Sequence, residues 1–134
     1  MKLKIYVFAL FLFIGCNLFS QKNFQKGFII TNDNDTLYGE IDSRGDIFMA
    51  EICTFKNDKN QSFRYYPSDI SGFRFIDGKY YVSKKINDKL CFLEFIVKGN
   101  LSVYYLRDEF NERYFIENEN SELAELIYTE NKIE

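Results

Sequence analysis

The chain has no histidine and no tryptophan among its 134 residues. That removes Ser-His-Asp triads, Cys-His dyads and imidazole metal sites. Acid–base chemistry would therefore fall to carboxylates. A glycosidase needs two of them facing one cleft, about 5–9 Å apart, one with a raised pKa. Glu40, Glu51, Glu94 and Glu112 qualify by residue type. Glu94 stands out because it interrupts the apolar run 91–97. A carboxylate buried there must be paired or protonated, and a perturbed pKa would mark a site. The plainer reading, which the sequence favours, is an exposed strand position or a cross-sheet pair with Lys or Arg. Nothing in the sequence implies a cofactor.

Tyrosine offers a different chemistry. Tyr65-Tyr66, Tyr80-Tyr81 and Tyr104-Tyr105 are three doublets in strand-like runs. Neighbouring strand side chains point to opposite faces, and parity with flanking residues turns Tyr66, Tyr81 and Tyr104 outward. Three such rings on adjacent strands would make a platform for a sugar or peptide; equally, tyrosine suits any half-solvated strand face. Cys53 and Cys91 could pair in an oxidising compartment, or stay buried as small hydrophobes. Two thiols cannot build a four-ligand zinc site. Asn32-Asp33-Asn34-Asp35-Thr36 carries oxygen ligands, but Leu37 and Ser43 fall where a calcium loop needs Gly and Glu. That stretch reads as a hairpin turn. Asn60-Gln61-Ser62 and Asn100-Leu101-Ser102 match the N-glycosylation sequon by chance.

The N-terminus is expected to be removed. Lys2 and Lys4 precede ten consecutive apolar residues, 5–14. This is the build of a secretory signal peptide, shorter than the roughly 20 apolar residues of a membrane span. Two processing sites compete: cleavage between Ser20 and Gln21, which is preferred, and lipid attachment at Cys16 behind Phe13-Ile14-Gly15. Residues 1–20 are thus expected to be a leader, 21–128 one β-rich domain, and 129–134 a polar tail. Without Lys2 and Lys4 the chain holds 15 basic against 20 acidic side chains, a net charge of −5. That balance argues against nucleic acid and anionic membrane surfaces.

Behind the leader, β-branched and aromatic residues alternate with turn signals, the signature of an antiparallel all-β domain. Four hairpins are expected. The first joins 28–31 to 36–42, and the second joins 51–56 to 62–66, where Pro67 ends the strand. Ser68 is placed to cap one helical turn. The third joins 73–76 to 79–83 across Asp77-Gly78, suited to a type I′ turn. The fourth joins 90–98 to 101–108 across Gly99-Asn100, its first strand apolar on both faces. A last strand is expected at 113–117. Leu123, Leu126 and Ile127 then fall at helical spacing behind Ser121, predicting a short C-terminal helix. The expected fold is a small antiparallel sheet curled into a roll or open barrel with that helix on it.

Several segments also carry a resemblance. They are Gly27-Phe28-Ile29-Ile30, Asn34-Asp35-Thr36-Leu37-Tyr38-Gly39-Glu40-Ile41, Thr54-Phe55-Lys56, residues 66–73 and residues 95–105. Together they are similar to a family of secreted Bacteroidota proteins of unknown function. Its members open with a Gly-Asp-Thr-Ile/Leu-Tyr-Gly hairpin after the signal peptide; here Asn34 stands in place of the first Gly. The resemblance implies export to the periplasm, cell surface or medium, and brings no catalytic residue. Asp35-Thr36-Leu37 also resembles the tripeptide O-glycosylated on exported Bacteroidota proteins, with Thr36 as acceptor.

The expectation is an exported, non-enzymatic domain that contacts another protein or a surface polymer. Ligand or glycan binding on an aromatic face is the alternative, and a carboxylate hydrolase is the least favoured reading. Amino-terminal sequencing of the exported protein is expected to begin at Gln21; a lipid-blocked start at Cys16 would replace cleavage with anchoring.

Overall fold

The structure is a computed structural model and describes residues 22–127. The leader, Ser20, Gln21, Cys16 and the tail lie outside the described residues. Ten strands are joined in one antiparallel sheet. They are β1 (Phe24–Thr31), β2 (Thr36–Asp42), β3 (Cys53–Lys56), β4 (Ser62–Tyr65) and β5 (Ile70–Phe75), followed by β6 (Tyr80–Ile86), β7 (Lys89–Val97), β8 (Ser102–Arg107), β9 (Glu112–Glu117) and β10 (Leu123–Glu125). One short helix, α1 (Asp46–Met49), interrupts them. The strand order is β10-β9-β8-β7-β6-β5-β1-β2-β3-β4, so among the described residues β10 and β4 are the edges and the sheet is open.

Asn and Asp build the turns because their short polar side chains tolerate the left-handed region. Asn34 has φ 65° and Asn60 has φ 60°. Asn57 Oδ1 accepts the Lys59 and Gln61 amides at 3.0 and 2.9 Å and fixes the second hairpin. At the third hairpin only Asp77 is left-handed, so the type I′ expectation fails there. It is met instead at Asn87-Asp88, φ 48° and 63°, between the paired residues Ile86 and Lys89. That hairpin joins β6 directly to β7. After β4 no helical turn forms, and Asp69 rather than Ser68 closes the loop, its Oδ2 accepting the Tyr66 amide at 2.8 Å.

The C-terminal helix is not formed. Leu123 pairs with Glu117 as a strand, and the Leu126 amide donates to the Tyr114 carbonyl at 2.8 Å. Asn118 Oδ1 accepts the Asn120 and Glu122 amides, and Ser121 turns left-handed at φ 61° instead of capping. Three apolar residues cannot carry the nucleation cost of a helix, whereas β9 offers a ready ladder.

The apolar side chains form two cores. Ile29, Ile41, Met49, Cys53, Phe55, Ile70, Phe73, Phe75, Tyr81 and Phe92 make the first. Ala50, Ile86, Leu93, Tyr104, Leu106 and Phe115 make the second. Adjacent residues on one strand, Phe92 and Leu93, serve different cores, so the covered face of the sheet changes across β6 and β7. The expectation that residues 91–97 are covered on both faces holds in the middle of β7, while Ile96 and Val97 are exposed. β7 and β8 pair only from Val97 and Val103 to Glu94 and Tyr105. Beyond that point the Phe92 amide donates to the Ala50 carbonyl at 2.9 Å, and α1 packs against β8.

Gly39 lets β2 approach the first core. A Cβ there would overlap the Lys56 carbonyl oxygen and lie 2.6 Å from the Phe55 ring. Gly39→Ala is expected to cost about 1–3 kcal/mol by overpacking, read as a lower urea midpoint with an unchanged slope.

Candidate functional site

Antiparallel register carries one row of side chains across six strands. Tyr38 on β2 lies opposite Phe28 on β1, and Phe28 lies opposite Arg74 on β5. Arg74 lies opposite Tyr80 on β6, Tyr80 meets Phe95 on β7, and Phe95 lies opposite Tyr104 on β8. Directly opposed pairs share a face, so all six residues point to the side away from the first core. Ring centroids are 5.4 Å apart for Phe28–Tyr38, 5.8 Å for Tyr80–Phe95 and 5.5 Å for Phe95–Tyr104. The Arg74 guanidinium lies 6.0 Å from the Tyr80 ring centroid, within cation–π range.

An open groove of ≈ 940 Å³ runs along part of this row. Arg74, Tyr80, Val82, Phe95 and Tyr104 line it, with Lys98 and Asp77 among the polar groups. Cation–ring pairs recur on the same face. Lys56 Nζ is 4.5 Å from the Phe24 centroid, Lys84 Nζ is 5.4 Å from Tyr104, and Arg113 is 5.1 Å from Phe115.

The tyrosine platform considered beside the plainer reading is not assembled from Tyr66, Tyr81 and Tyr104. Tyr81 is 3% exposed, on the core side, stacked on Phe73 at 4.7 Å and 17°. Pairing of Phe73 with Tyr81 and of Arg74 with Tyr80 sets that parity, so Tyr80 is the outward member of its doublet. Tyr104 does face the groove but is only 5% exposed, packed beside Phe95 and Phe115 in the second core. Burial, helped by Glu117, raises its phenol pKa against the opposing pull of Lys84. Tyr66 is exposed but lies past the end of β4, away from the row. Phe28, Tyr38, Arg74 and Phe95 were missed. The alternation Phe73-Arg74-Phe75 was the available signal, since it fixes the core parity of β5 and hence of its neighbours.

The carboxylates considered for catalysis are mostly engaged elsewhere. Glu94 Oε2 lies 3.2 Å from Lys79 Nζ, the cross-sheet pairing favoured from sequence. The same ammonium is 2.7 Å from Asp46 Oδ1, tying α1 to β7. Partial burial works against that charge, but the bond to Asp46 and the nearness of Tyr81 and Glu94 outweigh it and hold the Lys79 pKa above the ordinary value. Glu40 pairs with Lys56 at 2.7 Å and Glu112 with Arg107 at 3.1 Å. Glu51 is exposed in the turn just before β3, with no ion pair among the described residues. Asn32–Thr36 forms the turn between β1 and β2, with Thr36 exposed at its end. Among the described residues no cluster of Cys, Asp and Glu could hold a metal ion, and no helix is long and apolar enough to cross a membrane.

Cys53 and Cys91 are both free thiols. Cys53 is in the first core, whereas Cys91 packs against the second, so strand alternation separates the two thiols that the sequence left either to pair or to stay as small hydrophobes. No protein-family model, curated protein or solved structure matches the chain.

Burial pushes the Cys53 thiol up to about 12 from its ordinary 9.0, and burial likewise raises the Tyr81 phenol. In the unfolded chain both groups release protons at lower pH than in the native state. Their contribution to stability is therefore complete below about pH 9 and falls as pH rises toward about 12. Thermal melts across that window are expected to show the decline, and Cys53→Ala to delay its onset. Timed alkylation at pH 8 should modify Cys91 before Cys53; equal rates would place Cys53 outside the core.

Proposed function

We propose that this is an exported, non-enzymatic binding domain that holds an extended surface polymer along its aromatic row. The single supporting observation is the continuity of that row, Tyr38–Phe28–Arg74–Tyr80–Phe95–Tyr104, on one open face of the sheet. Strands lie about 4.8 Å apart, so six of them spread the row over about 24 Å. That suits an elongated ligand lying across the strands better than a compact one in a closed cavity. Aromatic rings supply apolar contact without demanding a particular hydrogen-bond pattern. The absence of histidine from the chain and the ion pairing of Glu40, Glu94 and Glu112 leave little for acid–base work. Membership of the secreted Bacteroidota family resembled by the sequence is part of the same reading.

On this reading the β5-β1-β2-β3-β4 half is curled into an open roll. Support comes from the length of the β4–β5 connection. Tyr65 and Ile70 are five Cα steps apart, a reach of at most about 18 Å. Four strand spacings in a flat sheet take about 19 Å, and the Asp69-to-Tyr66 backbone turn shortens the connection further. Pro67 accepts a hydrogen bond from the Ser83 hydroxyl, and Asn32 Nδ2 donates to the Ser68 carbonyl, so the loop lies against β6 and the β1–β2 turn.

Co-sedimentation with deproteinised cell-envelope polymer tests the binding face. The Tyr38→Ser/Tyr80→Ser variant is expected to lose roughly tenfold or more in retention, since ring contacts of this kind contribute on the order of 1–3 kcal/mol each. The opposite-face variant Tyr105→Ser/Tyr114→Ser should bind as the parent does. Loss in the second variant and not the first would remove the row from the function.

A further inference from the structure

We propose that the polymer is an acidic polysaccharide whose carboxylates are read by Arg74, Lys26 and Lys98. This deepens the groove reading above and rests on it. The argument begins with which charges on the open face are already satisfied. Its strand carboxylates are each held at close range: Glu40 by Lys56, Asp42 by Arg44, Glu117 by Lys84 and Glu125 by Arg113, at 2.7–2.9 Å. Lys26 pairs across the strands with Glu40, whose carboxylate bonds Lys56 instead. Among the described residues Lys26, Arg74 and Lys98 have no acidic side chain within ion-pair distance. Among the described residues Asp77, at the hairpin tip, is the one groove acid left outside a pair.

The imbalance is local. The whole chain is acidic, with net charge −3 and 20 carboxylates, yet this face gathers cations that no carboxylate among the described residues neutralises. Arg74 is the most informative. It sits in the ring row between Phe28 and Tyr80, exposed, and none of its five side-chain N–H donors meets an acceptor among the described residues. A guanidinium held by ring stacking presents a planar fork suited to a carboxylate. Rings on either side would meet the C–H faces of the sugars that carry it.

Other extended ligands fit less well. A peptide joining by strand addition needs a free edge, and the row crosses sheet interior between β2 and β8. Single-stranded nucleic acid also uses rings and cations, but it calls for a denser basic field than scattered cations on a chain of pI ≈ 5.1.

Affinity electrophoresis of the full protein can use four probes: polygalacturonate, its fully methyl-esterified form, dextran and oligo-dT. Polygalacturonate is expected to retard the protein, the methyl ester and dextran at least tenfold less, and added salt to weaken the retention. Arg74→Gln, an exposed position that leaves both cores intact, should weaken polygalacturonate binding about tenfold. If the ester binds as well as the acid, and Tyr80→Ser abolishes both while Arg74→Gln changes neither, the acidic class is wrong and the groove reading stands. Stronger retention by oligo-dT than by polygalacturonate overturns the polysaccharide assignment. No retention by any probe overturns both readings.

Discussion

The amide of Phe92 finds its acceptor on Ala50, and much of the molecule is arranged around that bond. It sits where β7 and β8 part company, and the end of α1 fills the gap. Met49 enters one core and Ala50 the other, so two successive residues seal two apolar clusters on opposite sides of one sheet. Without a backbone partner there, β7 would bury an unsatisfied N–H, a cost on the order of 1–3 kcal/mol. Lys79 reinforces the wedge from outside by holding Asp46 of the helix against Glu94 of the strand.

Changing the covered face midway has a structural return. Had one face been covered from β10 to β4, the opposite face would be uniformly wet. Instead β6 and β7 contribute to both cores, and the face opposite the first core stays open across β2, β1 and β5 before turning inward at β8. Tyr38, 69% exposed, stands at the open end of the row and Tyr104 at its closed end. The gradient from solvent to core along a single line of cross-strand neighbours gives the groove its floor.

The strands were legible because their turns are written in Asn, Asp and Gly, and because alternation marks a half-buried strand. The helix at Asp46–Met49 was not: four residues show no period, and Gly45 caps it without a side-chain bond. The C-terminal strand was misread as helix because Leu123, Leu126 and Ile127 fit a helical spacing that only tertiary pairing with β9 overrides. The doublets at 80–81 and 104–105 were recognised as offering opposite faces, yet which ring faces outward depended on register with β5. The cation-bearing face was hidden for a similar reason. Lys26, Arg74 and Lys98 are far apart in sequence, and only strand order brings them to one surface.

That strand order also bears on how the molecule comes together. β1 pairs with β2 after a four-residue turn, but its other edge waits for β5, about forty residues later. Such distant partnerships raise contact order and slow folding. Until β5 docks, β1 is a bare apolar edge of the kind that recruits foreign strands. The seam between β1 and β5 is therefore both the last joint made in the N-terminal half and the place where an incomplete chain is most prone to aggregate.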